Sequence, residues 1–381
     1  MKVTAIRAYQ VACDMPEPLG NALQVLRRRA AVLVQVVTDQ GVSGWGENAS
    51  SPVAAGAYVR KVLAPLVLGR DPRATLPLHR AMLGTLNYDR RGVSLMATSA
   101  LDMALWDARA KIEGVPLHAL LGGAVRQRAT AYVSGPFMRP GEDPYARVPE
   151  EAEAHRKEGF RALKLRSGLS PRADAAIVTR LRRDLGEDVA LMIDVNRGYT
   201  PRAALEAADR MQEAGLLWIE EPLAPDDLPG YRMLSGLMRT AIAGGEALAG
   251  LPAFRDALIE RTFDILQPDL SVCGGFTSAM GIAALGEAFG IPVMAHVFGT
   301  VVNFHASLQM TAVLPSHRAG DPWTYPFFEY DRTPNALRRL RGDHPVAPDG
   351  TVAIPDAPGI GVDLDPAELE PFLQEYWEEA V

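Results

Sequence analysis

The chain is poor in cysteine, poor in lysine, and has no long apolar run. Cys13 and Cys273 are the only two cysteines among 381 residues. So few, so far apart, they argue against a disulfide framework and against a thiolate metal site, and Cys273 reads as a small buried hydrophobe. No stretch approaches the ~20 uncharged apolar residues needed to span a bilayer. The opening "MKVTAIRAYQ" has no signal-peptide core, so the expectation is a cytoplasmic protein. Basic residues do not dominate: the formal net charge is −7, which argues against a nucleic-acid surface. Lysine occurs only at positions 2, 61, 111, 157 and 164, so the other 34 of the 39 basic residues are arginine.

What remains is an ordinary soluble composition, 48% apolar and 22% charged, in a chain long enough for one large domain plus a smaller one. The first part, residues 1–125, reads as an α+β unit. "VTAIRAYQVA" and "AAVLVQVVTDQGVSGWGEN" are β-type runs, and "GVSLMATSALDMALWDARAKIEG" carries Ala97, Leu101, Ala104, Leu105 and Ala108 at helical spacing before Gly114. Residues 126–345 change rhythm. "ATAYVSG", "ALKLR", "VALMIDVN", "LLWIEEP", "TAIAGGE", "FDILQPD", "IPVMAHVFG" and "YPFFEY" alternate with amphipathic stretches at roughly 25-residue steps. Eight such units predict a (β/α)8 barrel of the TIM type, capped by the α+β unit. A doubly wound open sheet is the alternative, but the Gly-rich phosphate loop it usually carries is missing. In the last segment, 346–381, "GTVAIPDAPGIGVDLD" returns to strand-like alternation and is expected to rejoin the cap.

In a barrel of this kind, catalytic groups sit at the C-terminal strand ends. Read in order, those ends carry Lys164 and Arg166, Asp194, Glu220, Glu246, Asp269, His296 and Glu329. Asp194, Glu220 and Glu246 are each 26 residues apart, so three consecutive strands present carboxylates at one height. Three adjacent carboxylates stay ionised together only around a cation, and an all-oxygen set suits Mg²⁺, with Mn²⁺ as a substitute. In "RALKLRSG", Lys164 and Arg166 lie two apart and share a face, so an anion is expected opposite them.

The ordered series "ALKLR", "MIDVNRG", "WIEEP", "AGGE", "QPD" and "AHVFG" resembles the enolase superfamily, in its mandelate racemase-type subgroup. "GWGE", "ALWDARAK" and "PLHALLGG" resemble that family's capping domain, and "QPDLSVCGGFT" and "FFEYDRTPN" are most similar to its galactarolactone cycloisomerase branch. The resemblance implies that Asp194, Glu220 and Glu246 hold Mg²⁺ against a substrate carboxylate. It further implies that Lys164 neutralises the enolate oxygens, that Asp269 and His296 form an acid/base dyad, that Glu329 meets the carboxylate end, and that Asn196 reaches a substrate hydroxyl. Glu221 is expected behind the ligands and not among them, and His305 is expected to be packing. Homo-oligomerisation is likewise an implication of the family.

The sequence departs from the subgroup at Arg166, where lysine usually acts as a second base. Arginine stays protonated and is a poor base. One competent base favours elimination: His296 removes the α-proton of a sugar acid, or of its lactone, and a β-oxygen leaves. Two other readings are an epimerase, with Arg166 or Lys164 supplying the second proton, and a metal-binding barrel without activity. The loops expected to set specificity are "DMPEPLGN" and "NASSPVAAGA".

Overall fold

The computed structural model describes residues 1–320 and 322–381. Three long N-terminal strands, β1 (Val3–Gly20), β2 (Val25–Thr38) and β3 (Ser43–Asn48), form an antiparallel sheet. The predicted helix runs Val93–Glu113 and ends where Gly114 turns left-handed at φ 69°. It lies hard against β3. A Cβ on Gly44 would stand 2.2 Å from Ala104 O, and one on Gly46 1.9 Å from Ala100 O, so only glycine admits the helix this close. That approach leaves Glu47 and Asn48, at the end of β3, facing the barrel.

Seven barrel strands follow in ladder order: β4 (Arg128–Ser134), β5 (Ala162–Arg166), β6 (Ala190–Asp194), β7 (Trp218–Glu220), β8 (Ala241–Gly244) and β9 (Ile265–Leu266), with a later strand, Phe327–Asp331, pairing back onto β4. The predicted strand in "IPVMAHVFG" joins through two isolated parallel bridges, Leu266 to Val293 and Asp269 to His296. At the seam beside it, Val297 N donates to Glu329 Oε2 at 2.8 Å, a side chain serving where a ladder would. Before the closing strand come β10 (His317–Gly320) and β11 (Trp323–Tyr325), a small antiparallel pair; the closing strand is therefore β12.

The tail rejoins the cap as expected, apart from one short strand. Within "GTVAIPDAPGIGVDLD", β13 (Thr351–Ala353) pairs antiparallel with barrel strand β4, while the rest returns to the first unit: Gly359 bridges Pro116, Ile360 N donates to Asp107 Oδ1 at 2.7 Å, and Trp45 Nε1 donates to Asp363 Oδ1 at 3.0 Å. The segment that enters the cap sheet is β14 (Leu373–Ala380), on the outer edge of β1. β14 is amphipathic and largely exposed, with Trp377 as its buried anchor, so its short apolar signal was weaker than that of the preceding loop.

The barrel interior explains where the charged residues point. Tyr132, Ala162, Met192, Trp218, Ile265, Met294 and Phe327 form one buried apolar cluster. Two residues further along each strand come Ser134, Lys164, Asp194, Glu220, Gln267, His296 and Glu329. A strand repeats its facing every second residue, so this second set stands on the same inward face, one layer higher. The apolar layer plugs the barrel, and the polar layer forms the floor of the site.

His305 is buried in the helix Val301–Val313, as expected of packing, but it has a partner. His344 Nε2 lies 2.7 Å from His305 Nε2, and His305 Nδ1 lies 3.3 Å from Ile360 O. Burial, reinforced by His344, pushes His305 down to about 3, and burial with the Arg338 charge pushes His344 down to about 4. Both are depressed below the ordinary histidine value, so the unfolded chain takes up protons first. Stability from this pair is full above about pH 6.5 and falls as pH drops toward the folded values. The midpoint of thermal unfolding should decline from pH 7 to 5, and His344→Asn should make the decline shallower; equal slopes would remove the pair from this account.

Candidate active site

In the parallel register, Arg166 stands beside Asp194 and Asp194 beside Glu220, which puts three charged groups in one row. Glu246 lies beyond the end of β8, in the turn after Gly244 and Gly245. One oxygen from each of Asp194, Glu220 and Glu246 comes within 4.8 Å of the others. Asp194 and Glu220 are buried, and the Glu246 side chain is 20% exposed. The trio fits a hard divalent cation. All donors are oxygen, the oxygens converge, and Glu246 Oε2 is buried with no hydrogen bond. His296 Nε2 stands 3.2 Å from that same oxygen but without hydrogen-bond geometry.

Lys164 is fully buried under this trio. Its ammonium pairs with Glu220 Oε1, lies 2.9 Å from Glu329 Oε1 and 3.8 Å from Asp194 Oδ2, and donates to Tyr132 OH at 3.4 Å. Glu220 Oε2 accepts from Trp218 Nε1 at 3.0 Å and from Gln267 Nε2 at 2.6 Å. Burial opposes a charge on Glu329, but Lys164, His296 and Arg166 hold its carboxyl well below the usual range.

Arg166 is buried and spreads over several acceptors. Its guanidinium pairs with Asp194, donates to Ser134 Oγ at 2.8 Å and to Asn196 Oδ1 at 3.4 Å, and lies 3.7 Å from Glu329 Oε1. Asn196 has φ 44° and its N–H donates to Asp194 Oδ1 at 2.8 Å, so a tight turn folds it back over the trio. Glu221 is buried beside the trio with its Oε2 3.7 Å from Arg197 Nε. Burial and the Glu246 charge push its carboxyl up to about 8.

The dyad is present: His296 Nδ1 is 2.7 Å from Asp269 Oδ2. Burial works against a charged imidazole, yet Glu246, Glu329 and Asp269 outweigh it and push His296 up to about 10. Neutralising Glu246 lowers that value, because Glu246 is the foremost of these carboxylates. His296, Asp269, Glu246, Arg166 and Asn196 all line one cavity of about 290 Å³, closed from the cap side by the β1–β2 hairpin.

Several residues here went unnoticed in the sequence. Trp218 and Gln267 orient Glu220, and each sits two residues before a strand-end acid, so the period of two could have found them. Ser134 occupies the strand end of β4 as an uncharged member of the polar layer. Arg29, from cap strand β2, stacks 3.6 Å over Phe298 and donates to its carbonyl at 2.6 Å. No local signal marks it, because the contact spans two structural units.

Comparison with known proteins follows the same pattern. Residues 4–122 match the mandelate racemase / muconate lactonizing enzyme N-terminal domain, and residues 147–368 match the enolase C-terminal domain-like family. A D-galactarolactone cycloisomerase of Agrobacterium fabrum is 36% identical over 375 residues, covering 98% of this chain and 99% of that protein. A D-gluconate dehydratase of Thermoproteus tenax is 33% identical over 91% of this chain and 70% of its own. The crystal structure of a racemase from Streptomyces coelicolor with bound magnesium superposes with a TM-score of 0.86 at 29% identity, covering 97% of this chain and 99% of that one. The cap and the barrel agree with these matches: the chain belongs to the mandelate racemase/muconate lactonizing enzyme family of the enolase superfamily.

Proposed function

We propose that this protein removes the proton α to a carboxylate in a Mg²⁺-dependent reaction and then expels a β-oxygen, as water from a sugar acid or as the ring oxygen of a sugar-acid lactone. One observation carries the reading: the oxygen-only trio converges within 4.8 Å, and its outermost member, Glu246, lines one cavity together with the His296–Asp269 dyad and with Arg166 at the other inward strand-end base position. The similar cycloisomerase and dehydratase named above support it.

When bound at Asp194, Glu220 and Glu246, the cation supplies Lewis-acid charge to the substrate carboxylate. Lys164 adds a fixed positive charge from beneath, and Glu329 holds that ammonium in place. His296, with Nδ1 tied to Asp269, takes the α-proton at Nε2 once the Glu246 charge that raises its pKa is neutralised. The electron pair left on the α-carbon forms the α,β double bond as the β C–O bond breaks. His296 returns its proton to the departing oxygen, and the enol relaxes to a 2-keto acid. Asn196 is placed to accept or donate to a substrate hydroxyl. The cavity volume, about 290 Å³, lies near the lower end of ligand pockets, which suits a compact sugar acid.

Arg166 serves as fixed charge. Arg166→Lys should retain turnover within about tenfold, since charge and reach survive, whereas Arg166→Met should lose about 100-fold, as for one charge-stabilising donor. Equal activity in Arg166→Met and wild type would leave the guanidinium without a role. The reaction itself is tested by incubating the Mg²⁺-loaded enzyme with D-galactarolactone, D-gluconate and arabinonate and assaying 2-keto product. Inversion without elimination would instead make it an epimerase, and no α-proton exchange with any of them would leave a metal-binding barrel. Cytoplasmic residence is proposed from two free, buried cysteines, and homo-oligomeric assembly from the family resemblance.

A further inference from the structure

We propose that Glu47 and Asn48, at the end of cap strand β3, are positioning residues that align the Asp269–His296 dyad from outside the substrate cavity. The inference rests on the dyad being the acid/base pair. Neither side chain lines the cavity. Both are fully buried at the contact between cap and barrel.

Glu47 grips the loop that carries His296. Its Oε1 accepts from Thr300 N at 3.0 Å, its Oε2 accepts from Asn303 N at 2.9 Å, and the Thr300 hydroxyl donates to Oε2 as well. A carboxylate at this place supports the N-terminus of the helix Val301–Val313: Glu47 takes the N–H of Asn303 and of the N-cap residue Thr300, whose hydroxyl in turn accepts from Val302 N at 3.1 Å. The seating allows no slack, for a Cβ on Gly299 would stand 2.0 Å from Glu47 Oε1. Held this way, the helix directs Asn303 Nδ2 to Asp269 Oδ1 at 3.3 Å, with Ser307 Oγ fixing the amide through Asn303 Oδ1 at 3.0 Å.

Asn48 grips the other half. Its Nδ2 donates to Ser271 O at 2.9 Å, and Ser271 N donates to Asp269 Oδ1 at 2.7 Å. One oxygen of Asp269 is thereby fixed from both sides, and the second is left aimed at His296 Nδ1, 2.7 Å away. Two neighbouring residues of one cap strand thus hold the loops behind both members of the dyad. Groups that orient a functional side chain in this way typically affect its performance by about 10–100-fold.

Glu47→Gln turns one acceptor oxygen into an amide that faces N–H donors. Asn48→Ala removes the hold on Ser271, and Gly299→Ala drives Glu47 off its seat without deleting it. In each, kcat should fall about 10–100-fold. KM and the Mg²⁺ affinity should stay near the native value, since none of the substituted residues lines the cavity. Independently of any substrate, the low-field proton NMR signal of His296 Nδ1–H should shift or broaden. A folded Asn48→Ala or Gly299→Ala enzyme with native kcat, or one that loses kcat with the His296 signal unmoved, overturns the proposal, even if Glu47→Gln fails to fold. His296→Asn, run alongside, separates the two claims: turnover surviving in it would refute the dyad as acid/base, whereas its loss beside native-like cap variants would refute only the positioning role.

Discussion

Glu246→Ala is expected to abolish turnover while leaving the barrel folded. Of the three carboxylates it is the most suitable to remove, because it is part-exposed and its Oε2 makes no hydrogen bond. Asp194 and Glu220 are ion-paired to Arg166 and Lys164, and their removal would strand buried cations and cost stability as well as activity. EDTA should inactivate the native enzyme, and Mg²⁺ should restore it. A second readout needs no substrate. A ligand that binds only the folded state raises the unfolding midpoint, so Mg²⁺ should raise that of the native protein and not that of Glu246→Ala. Full activity after metal removal, or equal Mg²⁺ stabilisation of both proteins, would contradict the assignment.

Lys164→Met is expected to lower kcat by at least ~100-fold, the range seen when one donor to a developing oxyanion is lost. The side chain keeps its length and loses its charge. Lys164 is fully buried, with three carboxylates within 4 Å, so its charge acts where water screens little. The same substitution leaves Glu220 and Glu329 short of a partner and should lower the unfolding midpoint, so rates belong well below that temperature. A loss under about tenfold, well short of an oxyanion donor's worth, would reduce Lys164 to an ion-pair partner.

The barrel and its polar floor were legible because both follow from a period of two. Ala162, Lys164 and Arg166 alternate with Leu163 and Leu165, and the same beat places Asp194 above Met192 and Glu220 above Trp218. The strand around His296 was legible as a strand although it pairs only through isolated bridges, since its apolar run was intact. What escaped was whatever depends on contacts between distant segments. The tail was assigned to the cap as a piece, yet β13 joins the barrel and β14 the cap, a choice made by exposed edges and not by local pattern. "GWGE" was legible as a cap signature, but that its glutamate reaches across 253 residues to Thr300 was not. Arg166 was legible as an anomaly. Its four-way tie to Asp194, Ser134, Asn196 and Glu329 places the guanidinium among fixed partners, a contact set that the sequence alone did not show.

Everything turns on one face of the substrate carrying the base. The most direct measurement is proton NMR of substrate recovered before completion from native enzyme in D₂O, compared with His296→Asn. The account predicts product formation in the native enzyme, recovered substrate of unchanged α-configuration, and loss of both turnover and α-deuterium exchange in His296→Asn. Inverted α-configuration in substrate recovered from the native enzyme, with exchange surviving in His296→Asn, would place the base on the Arg166 side and contradict it.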